Sequence, residues 1–269
     1  MIAMAAMSSL CPDWSRREIV AGLKKHGYTG FEPRIQWDHA CNIEIDLPAA
    51  ERAEVRDLFS SEGLAICCIA SGARMAAPET AERAGHVEDL RRCIDLAGDL
   101  GSDYVRVFGG PRDQERPLEA LVDYTADGFA QVVELAASRG VTLLMETHDD
   151  WCASAEVRAV IDKVGHPNLA VLWDFMHTQR ADEQTHDSFR ELGELTRHTH
   201  IHDGTVMGGL RIGALGEGIF DNTTPARLLE ETGYSGFYSV EVIFTRGSDH
   251  DPDTVLEQNA RVFRESMAP

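Results

Sequence analysis

The stretch "VTLLMETHDDW", residues 141–151, joins an apolar run to a group of polar side chains. The run from Val141 to Met145 has the composition of a strand that is buried on both faces. Glu146 and His148 follow where the run ends, and two aspartates come directly after them. An ionised carboxylate in such a position is costly unless it is paired or bound to a metal. The stretch therefore predicts a buried strand whose end opens onto a functional site.

The same alternation of a short apolar run and a longer amphipathic segment recurs along the whole chain. Continuous apolar strands that alternate with helices indicate a parallel sheet covered by helices. Eight such units in 269 residues predict an α/β fold, a single (β/α)8 TIM barrel over residues 1–269. A doubly wound open sheet is the alternative, but it usually has fewer units, and no G-x-G-x-x-G motif follows the first strand. The predicted strands lie near Ile2, Phe31, Ala65, Tyr104, Thr142, Ala170, His198 and Tyr238.

The charge and the cysteines restrict the class of protein. A formal net charge of -20 repels nucleic acids and anionic membranes, so neither is expected as a partner, although a small anionic substrate is not excluded. No apolar stretch approaches the ~20 residues that a membrane-spanning helix needs. The six cysteines form no C-x-x-C pair, which favours reduced thiols over a zinc knuckle. We therefore expect a cytoplasmic protein that acts on a small molecule, and homo-oligomerisation is left open.

Polar residues gather at the predicted C-terminal ends of strands five to eight, where TIM barrels carry their chemistry. Strand five ends at Glu146, strand six ends at Asp174, and strand eight carries Glu241 within an apolar run. Strand seven, "RHTHIHDG", supplies His200 between them. For each residue alone, the simpler interpretation is a helix cap or a hydrogen-bonded core residue. A barrel, however, brings all four residues to one rim. Three carboxylates and one imidazole suit a single divalent metal ion, Mn²⁺, Zn²⁺, Co²⁺ or Mg²⁺.

These segments resemble the xylose isomerase-like barrel superfamily, and in particular its proteins called sugar phosphate isomerases/epimerases. The resemblance rests on five motifs that occur in this order: "LLMETHDDW", "VLWDFMH", "HTHIHDG", "LGEG" and "GYSGFYSVEVI". It implies one divalent metal held by Glu146, Asp174, His200 and Glu241. His200 is selected because the superfamily's ligand is the second histidine of an H-x-H pair, three residues before an acidic residue.

The resemblance also bears on the substrate. His177, in a D-x-x-H pattern, resembles the substrate-binding histidine of ketose epimerases, and His148 resembles the histidine of members with an E-x-H strand end. Cys152 stands where ketose 3-epimerases have an additional substrate-binding glutamate, which weakens the case for that specificity. Leu210 and Ile212 stand where a DNA-repair endonuclease of the superfamily holds a third zinc, so a trinuclear site is not expected.

The residues predict a metal-assisted proton transfer beside a carbonyl group. A hydroxy-carbonyl substrate would form an enediolate, with Glu146 and Glu241 as base and acid. Arg106 on strand four and Arg211 in the "GGLRIGALGEG" loop are candidates to bind substrate oxygens. We therefore predict a sugar isomerase or epimerase. The first alternative is a lyase that dehydrates a keto-polyol such as an inosose or dehydroshikimate; an endonuclease or a non-catalytic metal-binding subunit is less favoured.

Overall fold

The computed structural model describes residues 2–268 and confirms the predicted TIM barrel. Each predicted strand is present, although the first begins at Met4 rather than at Ile2. The strands are β1 (Met4–Met7), β2 (Gly30–Glu32), β3 (Ala65–Ile66), β4 (Ile69–Arg74), β5 (Tyr104–Phe108), β6 (Thr142–Glu146), β7 (Leu169–Asp174), β8 (Thr196–Ile201), β9 (Asp203–Thr205), β10 (Arg211–Gly213) and β11 (Tyr238–Val240).

Nine of these strands form one sheet, in the order β3-β2-β1-β11-β8-β7-β6-β5-β4, with parallel registers. The third predicted strand, "LAICCIAS", is interrupted at Cys67 and Cys68, so that β3 pairs with β2 and β4 pairs with β5. A bridge between Arg34 and Ala70 joins the two edges and closes the barrel. The strands β9 and β10 form a separate antiparallel hairpin that follows β8.

The helices alternate with the strands and pack on the outside of the barrel. The helical segment between the fifth and sixth strands of the sequence is broken between Ala130 and Val133, so that it forms two helices. Within residues 2–268, none of the helices combines the length and the apolar composition that crossing a membrane requires. The α-helices are α1 (Arg16–Lys25), α2 (Ala49–Ser61), α3 (Thr80–Leu100), α4 (Leu118–Ala130), α5 (Val133–Ser138), α6 (Ser154–Val164), α7 (Phe175–Arg180), α8 (Thr185–Leu192), α9 (Thr223–Glu231) and α10 (Pro252–Met267).

Side chains of β6 alternate between the helix layer and the barrel interior. Leu143 and Met145 belong to the large core between the sheet and the helices, whereas Leu144 belongs to a small separate cluster inside the barrel. Glu146 follows Leu144 by two residues and therefore points into the barrel interior. The same period of two on β7 turns Asp174 inward. The apolar runs thus build the wall, and their last inward positions carry the polar residues.

Candidate metal centre

Four polar residues meet where four successive strands of the sheet end. One ligand atom from each residue lies within 4.8 Å of those from the other three, and none of the residues is more than 3% exposed. The structure therefore brings together the four predicted metal ligands, while metal binding itself remains a prediction. The four residues are Glu146 at the end of β6, Asp174 at the end of β7, His200 within β8 and Glu241 directly after β11.

The imidazole of His200 lies at the middle of this cluster. Its Nδ1 atom is 2.9 Å from Glu146 Oε1 and 3.3 Å from Glu241 Oε2. Its Nε2 atom is 3.0 Å from Glu32 Oε1. Since an ionised carboxylate only accepts hydrogen bonds, Nε2 carries a proton, and Nδ1 is the atom turned toward the other ligands. Although burial opposes the charge, the three surrounding glutamates raise the pKa of His200 well above its usual range.

Two buried arginines hold the carboxylates of Glu146 and Glu241. Arg106 Nη1 donates to Glu146 Oε2 at 2.9 Å, and Arg34 Nη1 donates to Glu241 Oε1 at 3.2 Å. Each bond occupies the oxygen that does not face His200. Burial raises the pKa of Glu146, but Arg106 and His200 outweigh it and lower that pKa. Burial likewise opposes ionisation of Glu241, yet His200 and Arg34 hold its pKa well below its usual range. Both glutamates are therefore ionised at neutral pH.

Asp174 is oriented through both of its carboxylate oxygens. Its Oδ1 accepts a hydrogen bond from the backbone N–H of His177 at 3.1 Å and so caps α7. Its Oδ2 lies 2.8 Å from His202 Nε2, which donates to it. Although burial opposes ionisation, His177 and His202 lower the pKa of Asp174. Asp174 thus offers an ionised carboxylate in a fixed orientation.

The donor set fits one divalent cation. Three carboxylates and one imidazole offer the oxygen and nitrogen atoms that Mn²⁺, Zn²⁺, Co²⁺ and Mg²⁺ accept as ligands. The buried charges also call for a cation, because two guanidiniums face three ligand carboxylates and the additional carboxylate of Glu32. Together with the two guanidiniums, a divalent ion would balance these four negative charges and offset the cost of burying them.

Glu32 supports the ligands from the second strand. Its Oε2 accepts a hydrogen bond from Ser239 Oγ at 2.6 Å and lies 2.9 Å from His198 Nε2, while its Oε1 binds His200. Ligand atoms of Glu32, Cys68 and His198 also lie within 4.8 Å of one another. Both oxygens of Glu32 are already hydrogen-bonded, however, so we interpret it as the group that orients His200, as carboxylates do for metal-binding histidines in general.

A cavity of about 520 Å³ is lined by His177, which contacts the candidate ligand Asp174, and is the candidate substrate pocket. Its wall contains both predicted substrate-binding histidines, His148 and His177, whose ring centroids are 4.4 Å apart. Two cavities of about 560 Å³ lie elsewhere, but neither is lined by the ligands or by these histidines.

The proton of His177 can be assigned from its neighbour. Arg180 Nη1 lies 2.7 Å from His177 Nδ1. A guanidinium cannot accept, so Nδ1 is the acceptor and the imidazole proton sits on Nε2. Burial lowers the pKa of His177 to about 4, which keeps the ring neutral at pH 7. Within residues 2–268, the buried Nε2 atom has no hydrogen-bond partner and lies 3.7 Å from Asp174 Oδ2.

The two predicted substrate-binding arginines lie in different surroundings. Arg106 is 1% exposed, and its guanidinium packs over the ring of Phe108 and against Glu146. Arg211 is exposed on β10, and the pocket is lined by its neighbours Leu210 and Ile212 instead. The structure thus joins Arg106 to a predicted ligand and does not bring Arg211 to the pocket. A substrate contact by either arginine stays a prediction.

Sequence reasoning missed two residues of this site, Glu32 and Arg34, and set aside His198 and His202 in favour of His200. A signal for Glu32 exists, because "GFE" ends a strand with a carboxylate just as "TLLME" does. Arg34 follows Glu32 by two residues and shares its inward face. His198 lies on β8 and His202 follows it directly, so that each is two residues from His200.

The chain resembles known proteins in its sequence. The family model described as "Xylose isomerase-like TIM barrel" matches residues 20–266. A curated relative, 3-dehydroshikimate dehydratase of Bacillus anthracis, is 23% identical over 117 residues, which are 43% of this chain and 42% of that protein. The aligned segment therefore spans less than half the length of this relative.

Two solved structures resemble the chain in fold over nearly its whole length. L-ribulose 3-epimerase superposes with a TM-score of 0.81 at 20% identity and covers 99% of this chain and 95% of its own. The IolI protein, in a structure with a bound zinc atom, superposes with a TM-score of 0.84 at 16% identity and covers 99% and 98% of the two chains. At these identities the likeness establishes the fold alone.

Proposed function

Because the chain belongs to the family of xylose isomerase-like TIM barrels, we propose that it is a divalent-metal-dependent isomerase or epimerase of a sugar or related hydroxy-carbonyl compound. The observation that carries this proposal is the arrangement of Glu146 and Glu241, which come from the outer two of the four strands that hold the ligands. The fold likeness to L-ribulose 3-epimerase and to a zinc-binding protein supports the same class of reaction.

The ionised glutamates supply the proton transfer. When bound, a divalent ion acts as a Lewis acid toward a carbonyl oxygen of the substrate. Glu146 and Glu241 lie on either side of Asp174 and His200, so each can take or return a proton on one side of the carbon beside that carbonyl. Two such groups on opposite faces of one carbon give epimerisation, whereas one group that acts between adjacent carbons gives isomerisation.

The remaining residues hold the reacting groups and the substrate. Arg106 and Arg34 keep the two glutamates ionised and prevent their side chains from turning away. His177 offers its Nε2–H to a substrate hydroxyl, because Arg180 already occupies Nδ1. His148 packs between the rings of Phe108 and His177 and forms the wall next to them.

Deuterium exchange tests the proton transfer. The protein is incubated in D₂O with a set of ketoses, keto-inositols and hydroxypyruvate, and the products are examined by NMR. We expect the wild type to exchange the hydrogen beside the carbonyl, and Glu146→Gln and Glu241→Gln each to lose about hundredfold or more in rate. Metal content is measured in every sample, so that a loss of metal is not mistaken for a loss of the base.

A matched control is Glu62→Gln, which removes one exposed glutamate that pairs with Lys24 far from the pocket. This variant should exchange at the wild-type rate. Exchange that persists in both active-site variants, or substrate conversion without any deuterium in the product, would count against the proposal.

Metal analysis tests the ligand set separately. We expect about one divalent ion per chain in the wild type, since one group of four ligands is formed. His200→Ala and Asp174→Ala should each lower the occupancy at equal free metal concentration. Unchanged occupancy in both variants would show that the ion, if present, is bound elsewhere.

A lyase is the second candidate function. The curated relative is a 3-dehydroshikimate dehydratase. Cys152 also occupies the position at which a 3-epimerase would have a glutamate, and its thiol donates to the backbone oxygen of Asp149 at 3.1 Å. Removal of the same proton followed by loss of a β-hydroxyl gives dehydration. A conjugated product that absorbs in the ultraviolet, formed from 3-dehydroshikimate or an inosose, would favour the lyase over the isomerase.

A further inference from the structure

The pocket beside the metal centre has two arginines at its edge, Arg74 and Arg180. Arg74 ends β4 and Arg180 ends α7, and both side chains are exposed. They line the same cavity as His148 and His177, which lie next to the predicted ligands. The two guanidiniums therefore face the space that a substrate of the proposed reaction would occupy.

Neither arginine is paired with a carboxylate. Within residues 2–268, the polar contact of Arg180 is the bond from its Nη1 to His177 Nδ1, and no acidic oxygen lies within ion-pair distance of Arg74 or Arg180. Asp149 and Asp150 line the same pocket, yet within the described residues neither carboxylate pairs with Arg74 or Arg180.

Two aspartates of the same pocket are already engaged. Asp149 Oδ1 lies 2.9 Å from His148 Nδ1, and Asp150 Oδ2 accepts from the backbone N–H of Arg112 at 2.9 Å. Burial opposes ionisation of Asp149, but His148 lowers the pKa of this carboxyl, and Arg74 lowers it more weakly. Arg74 therefore acts on Asp149 from beyond contact distance. Apart from the bond of Arg180 to His177, the guanidinium donors of both arginines are thus left for a ligand in the described part of the chain.

We propose that Arg74 and Arg180 bind an anionic group, a carboxylate or a phosphate, at the end of the substrate remote from the metal centre. The inference rests on the proposed function and names the class of substrate: a hydroxy-carbonyl compound that carries a negative charge. A guanidinium presents several N–H donors in one plane, which match the oxygens of a carboxylate or phosphate.

The charges of the inner site are compatible with such a substrate. Four buried carboxylates, those of Glu32 and the three acidic ligands, would be balanced by Arg34, Arg106 and one bound divalent ion. The centre is therefore close to neutral when the ion is bound, and the negative charge of the whole chain lies mainly on the exposed surface. An anion that enters the pocket meets the guanidiniums of Arg74 and Arg180 on a wall whose two carboxylates already contact His148 and the backbone N–H of Arg112.

Binding measurements with matched probes test the inference without requiring turnover. The probes are D-fructose, D-fructose 6-phosphate and 5-keto-D-gluconate, which are neutral, phosphorylated and carboxylated ketoses. Affinity for the metal-loaded protein is measured by calorimetry or NMR titration. We expect at least one of the anionic probes to bind about tenfold or more tightly than D-fructose, with an advantage that declines as salt is added. The anionic probe that binds more tightly shows whether the site prefers a phosphate or a carboxylate.

Variants assign the effect to these arginines. Arg74→Gln should lower the affinity for the anionic probe about tenfold and leave that for D-fructose nearly unchanged. Arg180→Gln should also lower the affinity for the anionic probe, but it removes the bond to His177 as well, so its effect on D-fructose is not used as a control. Arg74→Gln is the cleaner variant, since Arg180 also contacts His177. The matched control is Arg261→Gln, which removes one exposed arginine that pairs with Glu265 on α10, and it should bind every probe as the wild type does.

The outcomes separate this inference from the proposed function. The inference would be overturned if the anionic probes bind no more tightly than D-fructose, even if deuterium exchange occurs. It would also be overturned if their tighter binding persists in a variant that combines Arg74→Gln and Arg180→Gln. An arginine-dependent advantage without any deuterium exchange would support the anion site and count against the isomerase.

Discussion

Replacement of Glu32 by glutamine should weaken metal binding although Glu32 is not a ligand. Three donors converge on its carboxylate: His200 Nε2 at 3.0 Å, His198 Nε2 at 2.9 Å and Ser239 Oγ at 2.6 Å. A carboxylate accepts all three bonds, whereas a glutamine amide has one accepting oxygen and a donating NH₂ group. In Glu32→Gln, the NH₂ group therefore faces the donating Nε2–H of either His198 or His200.

The expected loss of metal affinity depends on how the protonation and hydrogen bonding of His200 change in Glu32→Gln. If the amide donates to Nε2, the proton of His200 moves to Nδ1, the atom that lies 2.9 Å from Glu146 and faces the metal position. If the amide oxygen keeps the bond to His200, a neutral hydrogen bond replaces a charge-assisted one, which is about half as strong. Loss of such partners typically costs about 10–100-fold in metal affinity, and we expect a loss in this range.

The assay is a metal titration of chelator-treated protein, with circular dichroism to verify that the fold is retained. Glu62→Gln is the charge-matched control and should bind the metal as the wild type does. Ser239→Ala removes a bond to the same carboxylate but none to His200, and it should cost less than Glu32→Gln. Folded Glu32→Gln protein with an affinity within twofold of the wild type would refute the reasoning.

Three further predictions concern pH, metal and packing. Metal affinity should fall by about tenfold per pH unit as the pH is lowered, because the raised pKa of His200 leaves a proton on the metal-free ring that a bound ion must displace; a titration at several pH values measures this. Metal at about 1,000 times its Kd should stabilise the wild type by about 4 kcal/mol in thermal unfolding, an effect that His200→Ala should reduce strongly. Gly109→Ala should lower the free energy of unfolding by about 1–3 kcal/mol, because its Cβ would collide with the buried ring of Trp151. Its control, Gly85→Ala, lies in α3 with no atom near the new Cβ and should raise that free energy by about 0.5–1 kcal/mol in urea unfolding.

The barrel and the three acidic candidate ligands could be predicted because their signals are local, whereas His200 was selected from the resemblance to the superfamily. An apolar strand with a period of two determines which side chains point inward, and the position where the run ends determines which of them reaches the rim. Glu146 and Asp174 carry this signal within their own strands, and parallel strands bring their ends to one side of the barrel. Neither conclusion requires knowledge of distant contacts.

The partners of these residues were decided by the tertiary structure alone. Glu32 reaches His200 across 168 positions, and Arg34 reaches Glu241 across 207. Closure of the barrel places β2 and β11 on the two sides of β1 and so brings these residues together. The sequence likewise left open whether Arg106 binds substrate or an acidic neighbour, and only the pairing of β5 with β6 put its guanidinium against Glu146. Which side chains point inward is determined within each strand. The hydrogen bonds that set the orientation and protonation of a ligand depend on how the strands are arranged around the barrel.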